Sequence, residues 1–319
     1  MELGAEAPGS FQRAVLAARD AAEGMAAELE SLLKVFQEHG IEVLPLKGPA
    51  LAMALYGDAA MRQANDLDLL VRRGDFPGAE SLLLGLGFTG LGATGDHDRR
   101  FLRGELLVEL HFELASPRFF PFEIDGIWNR SRASNFHRIP IRAMSSNDRV
   151  LYLSAHGLKH GFSRLIWILD VARSLRGWSD GEYRDLVRQA QRQGLLAWLL
   201  IGCEVVRTVF PEQLPEGLHI AIARFSRALE RARNAARRLF PEDPDAEPFD
   251  YRALYLQAEA NPVRQWKYRW RYLAPTESDD KWARQHHVHP RLMFVFRPFR
   301  LMEKFGPARV WRILFPSGI

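Results

Sequence analysis

Asp66 and Asp68 stand two residues apart inside the apolar run Ala64-Asn65-Asp66-Leu67-Asp68-Leu69-Leu70-Val71. In an extended strand, side chains at i and i+2 leave the same face, with Cα atoms roughly 6.5 Å apart. Both carboxylates can then converge on one point while Leu67 and Leu69 face a core. Two such groups repel and raise each other's pKa unless a cation lies between them. Hard oxygen donors of this kind favour Mg²⁺ or Mn²⁺ over zinc. The plainer alternative is an Asp-x-Asp solvated at a frayed strand end.

The flanking segments bear on that choice. Ile41-Glu42-Val43-Leu44-Pro45-Leu46 is a short apolar strand that ends in Lys47-Gly48-Pro49 and runs into the helix-like Ala50 to Tyr56. Glycine followed by proline suits a tight strand-to-helix turn. Downstream, Glu105-Leu106-Leu107-Val108-Glu109-Leu110-His111-Phe112 alternates as a half-buried strand and supplies a third carboxylate, Glu109, with His111 on the same face. His111 lies near any metal or is a satisfied histidine at a strand end.

These residues, Lys47-Gly48, Arg62 with Asn65 to Val71, and Val108-Glu109-Leu110-His111, resemble the uncharacterised branch of the DNA polymerase β-like nucleotidyltransferase superfamily. His156-Gly157-Leu158-Lys159-His160-Gly161-Phe162, Arg164-Leu165 and Trp167 to Asp170 resemble that branch's helical half, so the likeness spans roughly Leu32 to Leu175. The resemblance implies an α/β (α+β) fold, a polymerase β-like mixed sheet with covering helices, followed by a helical C-terminal domain. It also implies metal-dependent transfer of a nucleoside monophosphate from an NTP such as ATP to a small molecule, peptide, protein or RNA end. Asp66, Asp68 and Glu109 would hold Mg²⁺ or Mn²⁺, with Glu109 as ligand or general base. Lys47, Gly48 and Arg62 would meet the phosphates. One departure stands out. Active relatives usually carry Gly-Ser after the first strand, whereas Lys47-Gly48-Pro49 offers no hydroxyl and lacks the N–H at Pro49. A catalytically weak binding or antitoxin-like module is therefore the alternative.

His156, Lys159 and Arg164 are expected to contact phosphate or base, or to pair internally with Asp170; His156 and His160 lie four apart without an evident third metal ligand. Cys203 is the sole cysteine of 319 residues, which excludes an internal disulfide and multi-cysteine zinc. No apolar run reaches 18 residues and the first ten residues carry no secretory pattern, so a cytoplasmic enzyme is expected. The total charge is +4, yet residues 261–319 hold 12 Lys and Arg against 4 Asp and Glu, leaving the first 260 at −4. Such polarity suits a polyanionic or peptide partner at the C-terminal tail.

Helical spacing of apolar residues from Gln12 to His39 predicts a long covering helix. Asp75 is the expected N-cap of a helix ending at Gly85 to Gly87. Thr89 to Asp98 reads as a Gly-rich hairpin or lid, with Arg99 to Leu102 and Glu105 to Leu114 as strands joined across Arg103-Gly104. Pro117 to Asn135 reads as irregular and His137 to Ile141 as a strand. Helices follow from a cap at Asn147, including one continuous helix over Leu218 to Leu239. Val263 to Tyr272 interleaves bases with aromatics, as a helix or an extended segment whose aromatics stack on bases or fill a core. His286-His287-Val288-His289 reads as a solvated cluster. The expected domains are 1–145 (α/β), 146–260 (helical) and 261–319 (basic aromatic-rich extension).

Overall fold

The computed structural model describes residues 9–91, 97–117, 120–210, 214–240, 251–259, 261–289, 292–307 and 310–311. The chain divides into two compact units, Met1–Pro117 with Phe122–Arg149, and Arg118–Pro121 with Val150–Ile319.

The first unit opens with α1 (Gly9–Glu38), which matches the long helix read from the sequence. Then come β1 (Leu44–Pro45), α2 (Gly48–Tyr56), a 3₁₀ turn (Ala59–Met61), β2 (Asp66–Leu70), α3 (Phe76–Gly85), β3 (Thr89–Gly90), β4 (Asp98–Arg103) and β5 (Leu106–His111). The five strands form one sheet in the order β1-β2-β5-β4-β3. β2 and β5 run parallel and the other pairs antiparallel, so the sheet is mixed. Because side chains alternate along a strand, Leu67, Leu69, Val71, Phe101, Val108 and Leu110 share one face. They are buried with Leu29, Leu32, Leu33 and Phe36 of α1 and Ala79 and Leu83 of α3. The long apolar stripe of α1 thus covers one side of the sheet and leaves the other side for polar residues.

The stretch expected to be irregular before Asn135 is ordered instead. It contains α4 (Ile124–Arg130) and β6 (Arg132–Phe136), which pairs antiparallel with β7 (Ile139–Ala143). His137, expected in a strand, forms the turn between them with φ +51°. Ile127 and Trp128 anchor α4 through burial, and Arg142 N–H donates to the Val43 carbonyl (2.9 Å), placing the hairpin beside β1. Gly92 and Gly95, within the expected hairpin or lid, lie outside the described residues.

α5 (Ser146–Lys159) crosses the boundary between the units. Its cap is Ser145 rather than Asn147: Ser145 Oγ accepts from Asp148 N–H (3.2 Å). The helical unit continues through α6 (Leu165–Ser174), α7 (Asp180–Gln193), α8 (Leu196–Val209), α9 (Glu216–Ala223), α10 (Ser226–Arg237), α11 (Tyr251–Ala258), α12 (Pro262–Leu273), α13 (Glu277–Gln285) and α14 (Met293–Phe305). Every residue from Ala197 to Val206 is buried, which makes α8 the unit's centre. The helix expected over Leu218 to Leu239 is two helices, broken at Arg224-Phe225. Their buried residues, Leu218/Ala221/Ile222 and Ala228/Ala232/Ala235/Ala236, keep helical spacing across the break, which is why the sequence reads as one helix. The acidic segment Pro241 to Pro248 lies outside the described residues. No helix among the described residues is long and apolar enough to cross a membrane.

Candidate active site

The polar face of the sheet follows from strand register. Asp68 of β2 stands opposite Glu109 of β5, and Leu70 opposite His111. On the far side of β5, Arg100 faces Glu109 and Asp98 faces His111. Laterally paired residues point to the same side of a sheet. Asp66, Asp68, Asp98, Arg100, Glu109 and His111 therefore share the face opposite the α1 core.

The strand-to-helix turn brings a cation to this row. Leu46 N–H donates to the Asp68 carbonyl (2.9 Å), extending the β1 pairing to the turn itself. Lys47 is the extended N-cap of α2, and Pro49 fills the first helical turn. Gly48 adopts φ +65°, and a Cβ there would meet only ordinary neighbours, the nearest Ala64 Cβ at 3.7 Å. The left-handed backbone, rather than crowding, is what calls for glycine. With the turn set this way, Lys47 Nζ lies 3.0 Å from Asp68 Oδ1.

His111 Nε2 lies 3.4 Å from Asp68 Oδ1 and 3.6 Å from Glu109 Oε2. At these distances both contacts are ion pairs rather than well-formed hydrogen bonds. Burial alone would lower the His111 pKa, but its pairing with Asp68 and Glu109 and the field of Asp98 outweigh that and lift it to about 9. Asp66 is pushed up to about 6, first by burial and then by the Asp68 charge, with Glu109 adding; Lys47 and Arg62 oppose the shift. Burial and the neighbouring Asp68 charge thus outweigh the lysine and arginine at Asp66.

Ligand atoms of Asp68, Glu109 and His111 all lie within 4.8 Å of one another. Asp66, one step along the same strand face, adjoins this group. The two carboxylates and a further carboxyl with a raised pKa, with the His111 ring beside them, form a set that fits a hard divalent cation.

The sequence-derived candidates fall into two sets. Lys47, Gly48, Arg62, Asp66, Asp68, Glu109 and His111 all belong to the sheet unit, with Arg62 buried and its charge felt at Asp66. His156, Lys159, His160, Arg164 and Asp170 belong to the helical unit. There the His156 and His160 rings lie 4.7 Å apart, and each lies within 5.3 Å of Trp167. Arg164 is exposed over the Trp167 ring (5.8 Å), and Asp170 is fully buried. Cys203 is buried, and its thiol is pushed up to about 12 by burial and then by the Glu204 charge, which leaves it chemically inert.

Asp98 and His97 belong to the site's surroundings although the sequence reading passed over them. Asp98 is buried, His97 Nε2 lies 3.3 Å from its Oδ1, and the His97 and His111 rings are 6.0 Å apart. Asp98 stands three residues before the apolar Phe101, an odd offset that puts it on the opposite, polar face, a signal present in the sequence.

No curated protein matches this chain. Among solved structures, it is similar to the antibiotic-resistance factor ANT(2'')-Ia in solution, at 13% identity and TM-score 0.37, covering 66% of this chain and 96% of that one. It is also similar to an antigenic nucleotidyltransferase-like protein from Paracoccidioides brasiliensis, at 14% identity and TM-score 0.36, covering 55% and 93%. Residues 3–211, well over half of the chain, match the family described as uncharacterised nucleotidyltransferase. The chain belongs to that nucleotidyltransferase family.

Proposed function

We propose that the chain transfers a nucleoside monophosphate from an NTP to an acceptor, using Mg²⁺ or Mn²⁺ held by Asp66, Asp68 and Glu109 with His111 beside them. The observation that carries this reading is the register pairing of Asp68 with Glu109 next to the Lys47-Gly48 turn. A divalent ion bound there neutralises charge on the triphosphate and lowers the pKa of an acceptor hydroxyl. In the balanced reaction, acceptor oxygen attacks the α-phosphorus, the α–β anhydride bond breaks, and pyrophosphate leaves. Glu109 is half-buried and bears no arginine fork, so it is suited to take the acceptor proton. Lys47 would move from Asp68 to the phosphates, with the fixed charge of Arg62 behind it. Lys159 and Arg164 are further proposed nucleotide contacts, and His111, His156, His160 and Asp170 are proposed supports.

The proposed division of labour puts catalysis in residues 1–145, with 146–260 as a helical part and 261–319 as a basic extension that meets a polyanionic or peptide partner. The proposed compartment is the cytoplasm, in keeping with a single buried cysteine.

One observation favours a second reading. Lys47 already supplies a cation to Asp68 at 3.0 Å, and the turn has no hydroxyl for a triphosphate, as in a catalytically weak binding or antitoxin-like module. The test is incubation of the protein with each α-labelled NTP, Mg²⁺ or Mn²⁺, and cell extract, beside Asp66→Asn/Asp68→Asn. Label transferred by the wild type alone supports the transferase and identifies the acceptor class. No transfer, together with no thermal shift by any NTP, moves the assignment to the binding module.

A further inference from the structure

We propose that the outer face formed by α12 and α14 docks on an anionic lipid surface. On α12, Val263, Trp266 and Trp270 follow helical spacing and are 58%, 61% and 56% exposed. On α14, Phe294, Val295 and Phe299 are 53%, 62% and 65% exposed. Trp266 stacks along Trp270 (6.1 Å), and Trp270 meets Phe294 (6.4 Å), so the two helices present one continuous apolar surface. Side chains of this size, each more than half bare, expose on the order of several hundred Å² together, the range in which a patch marks an interaction site.

Charge and composition select the occupant. Lys267 and Arg271 lie exposed along one flank of the α12 stripe and Lys304 on α14, with Glu303 as a nearby acid. In sequence, residues 261–319 carry a net charge of +8. Aromatic and aliphatic residues on one helix face, flanked by Lys and Arg, are the pattern of interfacial helices that bury their apolar side at the headgroup boundary. Exposed valines give no stacking to nucleic-acid bases, yet they enter hydrocarbon readily. The inner sides of both helices are committed elsewhere: Tyr268 and Tyr272 are buried, and Arg297 Nε–H donates to the Tyr272 carbonyl (3.2 Å). The inner sides carry the packing, and the docking is independent of the transferase reading.

The test uses the full chain with sedimented vesicles of phosphatidylcholine alone or with roughly 30 mol% phosphatidylserine. The expected result is co-sedimentation with the anionic vesicles only, weakened by added salt. Trp266→Ser/Trp270→Ser/Phe299→Ser should lower the bound fraction about tenfold with unchanged circular dichroism and melting. Lys267→Glu/Arg271→Glu should do the same with every aromatic in place. Three results overturn the proposal: no binding to either vesicle, tighter binding to a single-stranded RNA oligonucleotide than to vesicles, or a dimer that the aromatic variant dissociates.

Discussion

The buried acids of the helical unit and those of the sheet face are held in different ways. Glu204, 2% exposed in α8, accepts from Arg207 Nε and Nη2 (2.9 and 2.7 Å) and lies 3.3 Å from Arg233 Nε. Asp279 pairs with both Arg297 and Arg300 and closes a capping box with Thr276. Asp148 in the sheet unit is treated likewise, forked by Arg130 at 2.9 Å twice. Planar guanidinium forks fix such carboxylates and leave them little else to do. On the sheet face, Asp68 has the Lys47 ammonium at 3.0 Å and the His111 imidazole at 3.4 Å among its partners, and Asp66 is pushed up to about 6, first by burial and then by the Asp68 charge. The comparison teaches that the sheet face gathers its acids beside one another, as a site that admits a cation requires, whereas the acids of the helical unit stand singly among arginines.

The largest expected effect separates the two kinds of acid by function. Asp66→Asn/Asp68→Asn should cut nucleotidyl transfer by at least about a thousandfold, roughly 4 kcal/mol in the barrier, as read by steady-state kinetics. Glu204→Ala should leave the rate per folded molecule unchanged while costing about 2–3 kcal/mol of stability in urea unfolding, because it breaks a buried network. If Glu204→Ala also abolished transfer, the distinction would collapse.

The next effect is a pH dependence confined to the sheet face. Asp66 binds its proton more tightly folded, at about 6, than at its ordinary 3.8. Its contribution to stability is therefore greatest at low pH and falls as pH rises through about 4 to 6. After allowance for solvent screening the loss is about 1–2 kcal/mol. Asp66→Asn should flatten this part of the metal-free stability profile, and a profile unchanged by the substitution would contradict the assigned strain. The smallest effect is at the turn: Gly48→Ala, forced into φ +65°, should cost about 1 kcal/mol and raise the KM for NTP more than it lowers kcat.

Much of the sheet face was legible because a period of two needs no distant information. Asp66/Asp68 and Glu109/His111 each declare a shared face by spacing alone, and Lys47-Gly48-Pro49 declares its turn. The parallel pairing that puts Asp68 opposite Glu109 joins residues some forty positions apart, and the resemblance rather than the spacing supplied it. Asp98 was missed because it follows a Gly-rich stretch, and its partner His111 is set by antiparallel register. The break at Arg224-Phe225 carries no proline or glycine, and the buried positions on its two sides keep one helical spacing, so no local signal marks it. The hairpin of β6 and β7 was obscured by Arg132, Ala133, Ser134 and Asn135, which are all exposed and show no apolar alternation before Phe136.

The central claim is that the sheet face binds a divalent cation through its clustered acids. The most direct measurement is a calorimetric titration of the metal-free protein with Mn²⁺ at neutral pH, run beside Asp66→Asn/Asp68→Asn and Glu204→Gln. The account predicts saturable binding in the wild type and Glu204→Gln, and none in the double variant. Equal binding by all three, or none by the wild type, would contradict it.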